Sequence, residues 1–456
     1  MTAGLERFFF RPRLTQPLAV AHVTVVPMDA ERLFPDHTVI IEDGVIRALA
    51  PSSALETEGL PVVDGSGKYL MPGLADMHVH YWDTGEFALY LANGVTFVRN
   101  MFGAPLHLEL EQRVQRGELP GPHIITTSPI IDGPGPDGQP IWPGSALLVQ
   151  PEQAGPLVRQ YAADGYQQIK AYSQLTRETL QALGMASAEA GLRMTGHCPN
   201  GLTFEEAIAA GMTCFEHLEE VQNGHLQDSL DLAALATLGN IPRFRQLNGA
   251  IDYDKMRRLG HQMAAEHIWN CPTLVLPQQM SQDLTRALMS PLLAYESQAT
   301  LSQWNPANDV RFERMRTTRE AWASVIQEVV EVLIGIVAVF HEEGAPLLLG
   351  NDTPNPFVFQ GFSVHQELTN LRSAGLTPFE ALQCGTSEAA RFVGQTEVWG
   401  TIAEGKRADL LLIGANPLTD VEAVRDIDAV FVNGFHFSRS DLAALLQQRA
   451  ASVAME

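Results

Sequence analysis

The chain divides by the rhythm of its apolar positions. Over residues 18–51 the segments LAVAHVTVVPM and HTVIIEDGVIRALAP have the β-branched composition of strands, and Asp43-Gly44 falls between two such runs, where a hairpin turn belongs. RADLLLIGANPL and AVFVNGFHF repeat this style near the other end, with Asn433-Gly434 as a second hairpin signal. The two ends are expected to pair as one small composite β-sandwich domain, residues 1–68 and 398–456, because chain termini in compact proteins often lie close together.

Between them, over 69–397, short apolar strands alternate with helix-length segments. The pattern predicts strands near 72–79 (PGLADMHV), 95–101 (VTFVRNM), 123–130 (HIITTSPI), 167–172 (QQIKAY), 193–198 (RMTGHC), 212–218 (MTCFEHL), 268–275 (IWNCPTLV) and 346–352 (PLLLGND). Amphipathic stretches such as Thr176–Gly191 and Phe204–Gly211 fall between them. Eight β-then-α units in one sheet predict an α/β protein built on a (β/α)8 TIM barrel. The loop after the third strand (IDGPGPDGQPIWPGS) and the stretch from about 276 to 343 depart most from a minimal barrel, and loops on that face shape the substrate site. The most apolar run, Val329–Phe340, carries Glu331 and covers about 12 residues. It is too short to cross a bilayer and reads as part of a buried helix.

Composition narrows the partners. Of 456 residues, 30 are Lys or Arg and 53 are Asp or Glu, a formal charge of −23 that repels phosphate backbones and anionic surfaces. Neither nucleic acid nor a membrane is expected as a partner. The rest, 45% apolar with 37 Gly and 28 Pro and no repeat, is that of a folded globular protein. Cys198, Cys214, Cys271 and Cys384 are widely spaced without a C-x-x-C pair, so they read as reduced packing residues in a cytoplasmic protein. The opening MTAGLERFFFRPRLTQP interrupts its apolar run with Arg11 and Arg13, and no signal peptide is expected.

The candidate chemistry sits at strand ends. His78 and His80 are two apart on the first barrel strand, so both imidazoles share a face at the end where barrel active sites lie. Lys170, His197 and His217 each end a predicted strand about one β/α unit apart, and Asp352 ends the eighth, which closure brings beside the first. Singly, each has a plain explanation: Asp352 before Thr353-Pro354 as a cap or Asx turn, Lys170 as a snorkelling surface lysine, His217 as a satisfied core histidine. Jointly, burying these groups together without a metal would cost several kcal/mol. Imidazoles with a carboxylate suit zinc or a similar divalent ion with an open position for water. A desolvated lysine has a lowered pKa, and its neutral amine can add carbon dioxide to form a carbamate that bridges two ions.

With these motifs the chain resembles the amidohydrolase superfamily, in the branch of imidazolonepropionase-like amidohydrolases and Xaa-Pro dipeptidases. The resemblance runs through MPGLADMHVH, GVTFVRNM, IKAY, GHCPNGLTFEEAIAAGMTCFEHL and GNDTP to TSEAARFVG and GTIAEGKRADLLLIGANPL. It implies that His78, His80 and Asp352 hold one ion, that carboxylated Lys170 bridges, and that His197 and His217 hold the second. It further implies two divalent ions, of which zinc is expected, and a hydroxide bridging them that attacks the amide carbonyl while Asp352 serves as general base and acid. The substrate implied is a small-molecule amide, a dipeptide or an N-acyl amino acid, and a homo-oligomer is expected. The alternatives are a mononuclear cyclic-amide hydrolase or deaminase using His78, His80, His197 and Asp352, and a catalytically inactive scaffold.

The sequence departs from the family in three places. Arg99-Asn100-Met101 stands where relatives read R-D-M/L, the loop after the third strand has no histidine, and His197-Cys198-Pro199 replaces His-Ala-His. Tyr172, on the same face as Lys170, and His225 and Trp142, in loops after strands 6 and 3, are candidates to contact substrate, with packing or solvation as their ordinary roles. Asp76 shares parity with His78 but lies deeper, so a structural hydrogen bond is expected. His261, His267, His341 and His365 fall in helical stretches and are assigned no chemistry.

Overall fold

The computed structural model describes residues 13–231, 234–235, 238, 240–282, 284–304 and 319–455. The expectation for the opening twelve residues, and residues 283 and 305–318 of the 276–343 stretch, lie outside the described residues. The two ends of the chain share one eight-stranded sheet, ordered Phe435–Ser438, Ile427–Val432, Leu410–Ile413, Tyr69–Pro72, Leu18–Val25, Phe34–Glu42, Val45–Pro51, with Val62–Asp64 beside Leu18–Val25. Hydrogen bonds join all of these strands into a continuous sheet. Strand alternation gives it two apolar faces. Leu410 and Leu412 enter one cluster with Val20, Val39 and Ile41, whereas Leu411 and Ile413 enter the cluster that contains most of the central chain. Residues from both halves of the sheet thus meet around one cluster, and the opposite face packs on the rest of the molecule.

Both hairpin signals are turns. Asp43 and Gly44 have φ of 52° and 76°, and Asn433 and Gly434 have φ of 47° and 76°, the left-handed pair that a tight hairpin requires. A Cβ on Gly44 would lie 3.0 Å from the Gly434 backbone nitrogen, so the two turns abut and glycine is needed for closeness as well as for φ.

The central chain forms two parallel sheets. One joins Leu74–Val79, Val95–Asn100 and His123–Thr126; the other runs Ala146–Leu147, Ile131–Asp132, Gln168–Ala171, Arg193–Gly196, Met212–Glu216, Trp269–Cys271. Isolated parallel bridges link them further: Thr127 to Gln168, Asn270 to Leu347, and Val79 to Thr353. Seven predicted strands are present in shortened form, and the eighth differs. Over 346–352 the chain forms bridges but no named strand. Cys384 and Gly385 enter that seam: Leu349 donates its N–H to Cys384 O (3.1 Å), and Ala75 donates to Gly385 O (2.7 Å). The predicted 268–275 strand ends at Cys271, because Val275–Ser281 is a helix, and the predicted 123–130 strand ends at Thr126.

Helices begin where caps allow. Thr176 Oγ1 accepts from Thr179 N at the start of Arg177–Glu189, and Thr203 Oγ1 accepts from Glu206 N at the start of Phe204–Ala209. In return Thr203 N donates to the Glu206 carboxylate (3.0 Å). The apolar run 329–340 belongs to a longer helix than expected, Arg319–Glu342, of 24 residues. Its Ala323–Glu342 portion is long and apolar enough to cross a membrane by length and composition, and 39% of its most apolar window is buried. Leu333, Ile336, Val337 and Phe340 of that helix enter the main core.

Candidate metal centre

Parallel strands deliver their C-terminal ends to one rim, which is where the six candidate residues stand. His78 lies in Leu74–Val79 and His80 just beyond it; Lys170 lies in Gln168–Ala171; His197 and His217 follow Arg193–Gly196 and Met212–Glu216 directly. Asp352 follows the bridged segment. Two of the six hold left-handed backbone, His217 at φ 68° and Asp352 at φ 64°, conformations that non-glycine residues adopt at some cost.

Asp352 is the hub. Its Oδ1 lies 3.0 Å from His80 Nε2 and 3.3 Å from His78 Nε2, and its Oδ2 is 3.8 Å from His217 Nε2. The His78 and His217 ring centroids are 4.6 Å apart, and those of His197 and His217 are 4.7 Å apart. Lys170 is 1% exposed, and its Nζ has no hydrogen-bond partner among the described residues. Burial, partly offset by Glu216 and Asp352, pushes that amine down to about 8. Burial pushes the His78 imidazole down to about 3, so it is neutral and able to ligate. Burial raises the Asp352 carboxyl, but His78, His217 and His80 together outweigh it and hold Asp352 below the ordinary carboxylate range.

For His78, His217 and His197 the ring nitrogen facing away from the centre is engaged, whereas His80 Nδ1 is buried without a hydrogen-bond partner among the described residues. His78 Nδ1 donates to Glu216 Oε2 (2.8 Å), His217 Nδ1 pairs with Thr273 Oγ1 (2.7 Å), and His197 Nδ1 pairs with Ser173 Oγ (3.2 Å). Each contact leaves Nε2 for the centre. Glu216 is a residue the strand-end reading passed over. Its carboxylate is fully buried, accepts from both Arg99 Nη2 (2.8 and 2.9 Å) and Thr195 Oγ1 (2.8 Å), and lies well below the usual range because Arg99 and His78 overcome the effect of burial. The signal for it was a Glu and an Arg, each the one charged residue of its strand, Met212–Glu216 and Val95–Asn100. Charges buried within parallel sheets need one another.

The secondary candidates separate. Trp142 Nε1 donates to Tyr172 Oη (2.7 Å), and the Tyr172 ring lies 4.1 Å from that of His197, so both are at the centre's edge. His225 is 1% exposed rather than solvated, and its nitrogens pair with Glu205 Oε1 (2.9 Å) and Asn223 O (2.8 Å), leaving neither for a substrate. Asp76 is buried and accepts from His78 N (3.3 Å), the structural bond expected of it.

Residues 69–435 match the amidohydrolase family. The chain belongs to that family. Amidohydrolases of this kind are hydrolases of C–N bonds, and metal dependence is general among them. The chain is similar to the human protein named probable imidazolonepropionase, 21% identical over 83% of each chain. In fold it is similar to a bottromycin amidohydrolase (TM-score 0.78, 24% identity, covering 98% of this chain and 92% of that one). It is also similar to a Xaa-Pro dipeptidase with methionine bound in its active site (TM-score 0.65, 17% identity, 93% and 100% covered). The donor set fits a metal. His78, His80 and Asp352 bring one ligand atom each within 4.8 Å of one another, and Lys170 Nζ is an unpartnered polar atom beside them. A second such group, His78, Glu216 and Cys271, fits less well, because Arg99 and Thr195 already occupy Glu216.

Proposed function

We propose that this amidohydrolase is a binuclear enzyme cleaving the amide bond of a dipeptide or an N-acyl amino acid. The parallel pairings and the three bridges support one closed (β/α)8 barrel over 69–397, with 1–68 and 398–456 as the second domain, whose sheet also takes in Tyr69–Pro72. The observation that carries the reading is Lys170, a fully buried amine without a hydrogen-bond partner and with its pKa pushed down to about 8. An ammonium repels cations, whereas a neutral amine adds carbon dioxide, losing a proton to give a carbamate with two anionic oxygens.

His78, His80 and Asp352 would hold one ion, His197 and His217 the other, and carboxylated Lys170 both. Two divalent ions, zinc by ligand type, would when bound supply polarisation of the scissile carbonyl and a water acidified toward neutrality. Asp352, ionised and already within 3.0 Å of His80, accepts the proton from the attacking water and returns it to the leaving amine. Glu216, Thr273 and Ser173 hold the imidazoles so that their Nε2 atoms face the centre. Four free, buried cysteines support a reducing, cytoplasmic setting.

Elemental analysis is expected to find two divalent ions per chain, with a carbamate carbon signal after exposure to labelled bicarbonate. Lys170→Ala is expected to lose both the signal and turnover of dipeptide and N-acyl amino acid panels. At most one ion beside an unmodified Lys170 would instead favour the mononuclear reading, a cyclic-amide hydrolase or deaminase using His78, His80, His197 and Asp352. A chain that takes up no metal would favour the inactive scaffold.

A further inference from the structure

Solvent reaches the centre from one side. His78 and His217 are buried, at 1% and 6% exposure, whereas His80 and His197 remain partly exposed. Those two histidines are also the ones that meet aromatic rings. His80 stands edge-on to Phe102 (centroids 6.5 Å), and His197 lies against Tyr172 (4.1 Å). The rings continue outward, because Phe102 is 6.0 Å from Trp82. A Cβ on Gly144 would lie 3.8 Å from the Phe102 ring, which places the loop bearing Trp142 against it, and Trp142 bonds to Tyr172. Trp82, Phe102, Trp142 and Tyr172 therefore form an arc from His80 to His197 along the open side.

The arc is exposed where a protein ordinarily covers its aromatics. Trp82 is 52% exposed and Trp142 39%, with Ile141 beside it at 46%. Contiguous exposed apolar surface at the mouth of a polar centre marks a place where something apolar binds. The indole N–H of Trp142 is spent on Tyr172, so at that position the wall offers a ring face rather than a free donor. None of its members is a cation, so it suits a ring rather than a carboxylate.

We infer that this arc selects substrates carrying an aromatic or similarly planar apolar group next to the scissile amide. The inference rests on the amidohydrolase reading and names its substrate class. Paired substrates test it on either side of the bond: N-benzoylglycine against N-acetylglycine, and Gly-Phe against Gly-Ala. In the wild-type, metal-loaded protein kcat/KM is expected to favour the aromatic member of at least one pair. That preference should fall about tenfold in Trp142→Ala and in Trp82→Ala, through KM rather than kcat, and recover in Trp142→Phe. Met185→Ala, on an exposed helix face, should leave the preference as it is. An equal preference in wild type and both alanine variants overturns the inference.

If the wild type hydrolyses none of the four, the dipeptide and N-acyl amino acid reading fails on its own, and the arc is judged by ligand-detected NMR. Benzamide is then expected to bind the wild type about tenfold more tightly than either alanine variant, with no response to acetamide. No benzamide binding, or equal binding to all three proteins, overturns it.

Discussion

At the scale of single residues, the centre depends on side chains that would not touch a metal. Glu216 accepts the Nδ1 proton of His78 and the guanidinium of Arg99 in one fully buried contact, so it sets both the tautomer and the aim of His78. Glu216→Gln is expected to weaken metal affinity by about 10- to 100-fold, read by metal titration, because the imidazole loses its anchor. The same change strips Arg99 of its counter-charge and is expected to cost about 3 kcal/mol of stability by denaturant unfolding. Unaltered metal affinity beside that loss would show that Glu216 only packs. The six candidate ligands were legible in sequence because each ends a strand and parallel strands share an end. Glu216 was not, since its partner Arg99 lies 117 positions away and only folding brings them together. His225 shows the converse: its loop position suggested a residue open to solvent, but Glu205 and the backbone enclose it.

At the scale of elements, local signals carried most of the information and tertiary neighbours corrected the edges. Thr203 and Glu206 form a reciprocal cap on Phe204–Ala209, the helix between the strands that deliver His197 and His217. Thr203→Ala is expected to cost about 1 kcal/mol in thermal or denaturant unfolding, with little change in metal content, since the cap touches neither histidine. A larger effect on metal content than on stability would tie that helix directly to the centre. The eighth strand was legible as an apolar run ending in Asp352. It lacks a full ladder because Cys384 and Gly385 take the N–H groups of Leu349 and Ala75, a competition between segments that periodicity does not report. The helix Arg319–Glu342 likewise exceeds its apolar run, because propagation carries a helix past the residues that mark it.

At the scale of the molecule, the last helix, Arg439–Val453, is tied to the loop that follows His80. Arg449, 4% exposed, donates from Nη1 to both Asp83 oxygens (3.1 and 3.2 Å) and from Nε to Tyr295 O (2.9 Å), beside the buried acids Glu86 and Glu296. Arg449→Ala is expected to cost about 2 kcal/mol in denaturant unfolding, because the bonds of a buried guanidinium to Asp83 and to the Tyr295 carbonyl are lost. Burial, with Asp83 adding to it, pushes Glu86 up to about 8, and burial pushes Glu296 up to about 7, from 4.5. Folded, these acids keep protons that the unfolded chain releases. Their contribution is therefore complete below about pH 4.5 and lost as pH rises through 7 to 8. The melting temperature is expected to fall over that window, and Glu86→Gln to flatten the fall; a profile that rises with pH would contradict the assignment. Alternation, glycine turns, caps and the residues at strand ends are local, so the sequence alone determined the order of most elements, the pairing of its two ends and the candidate donor set of the centre. Which buried charges neutralise each other, which imidazole nitrogen faces inward and where aromatic rings line the opening were decided only by the tertiary structure. Those are contacts between positions far apart in the chain, and their energies exist only once water has been excluded from between them.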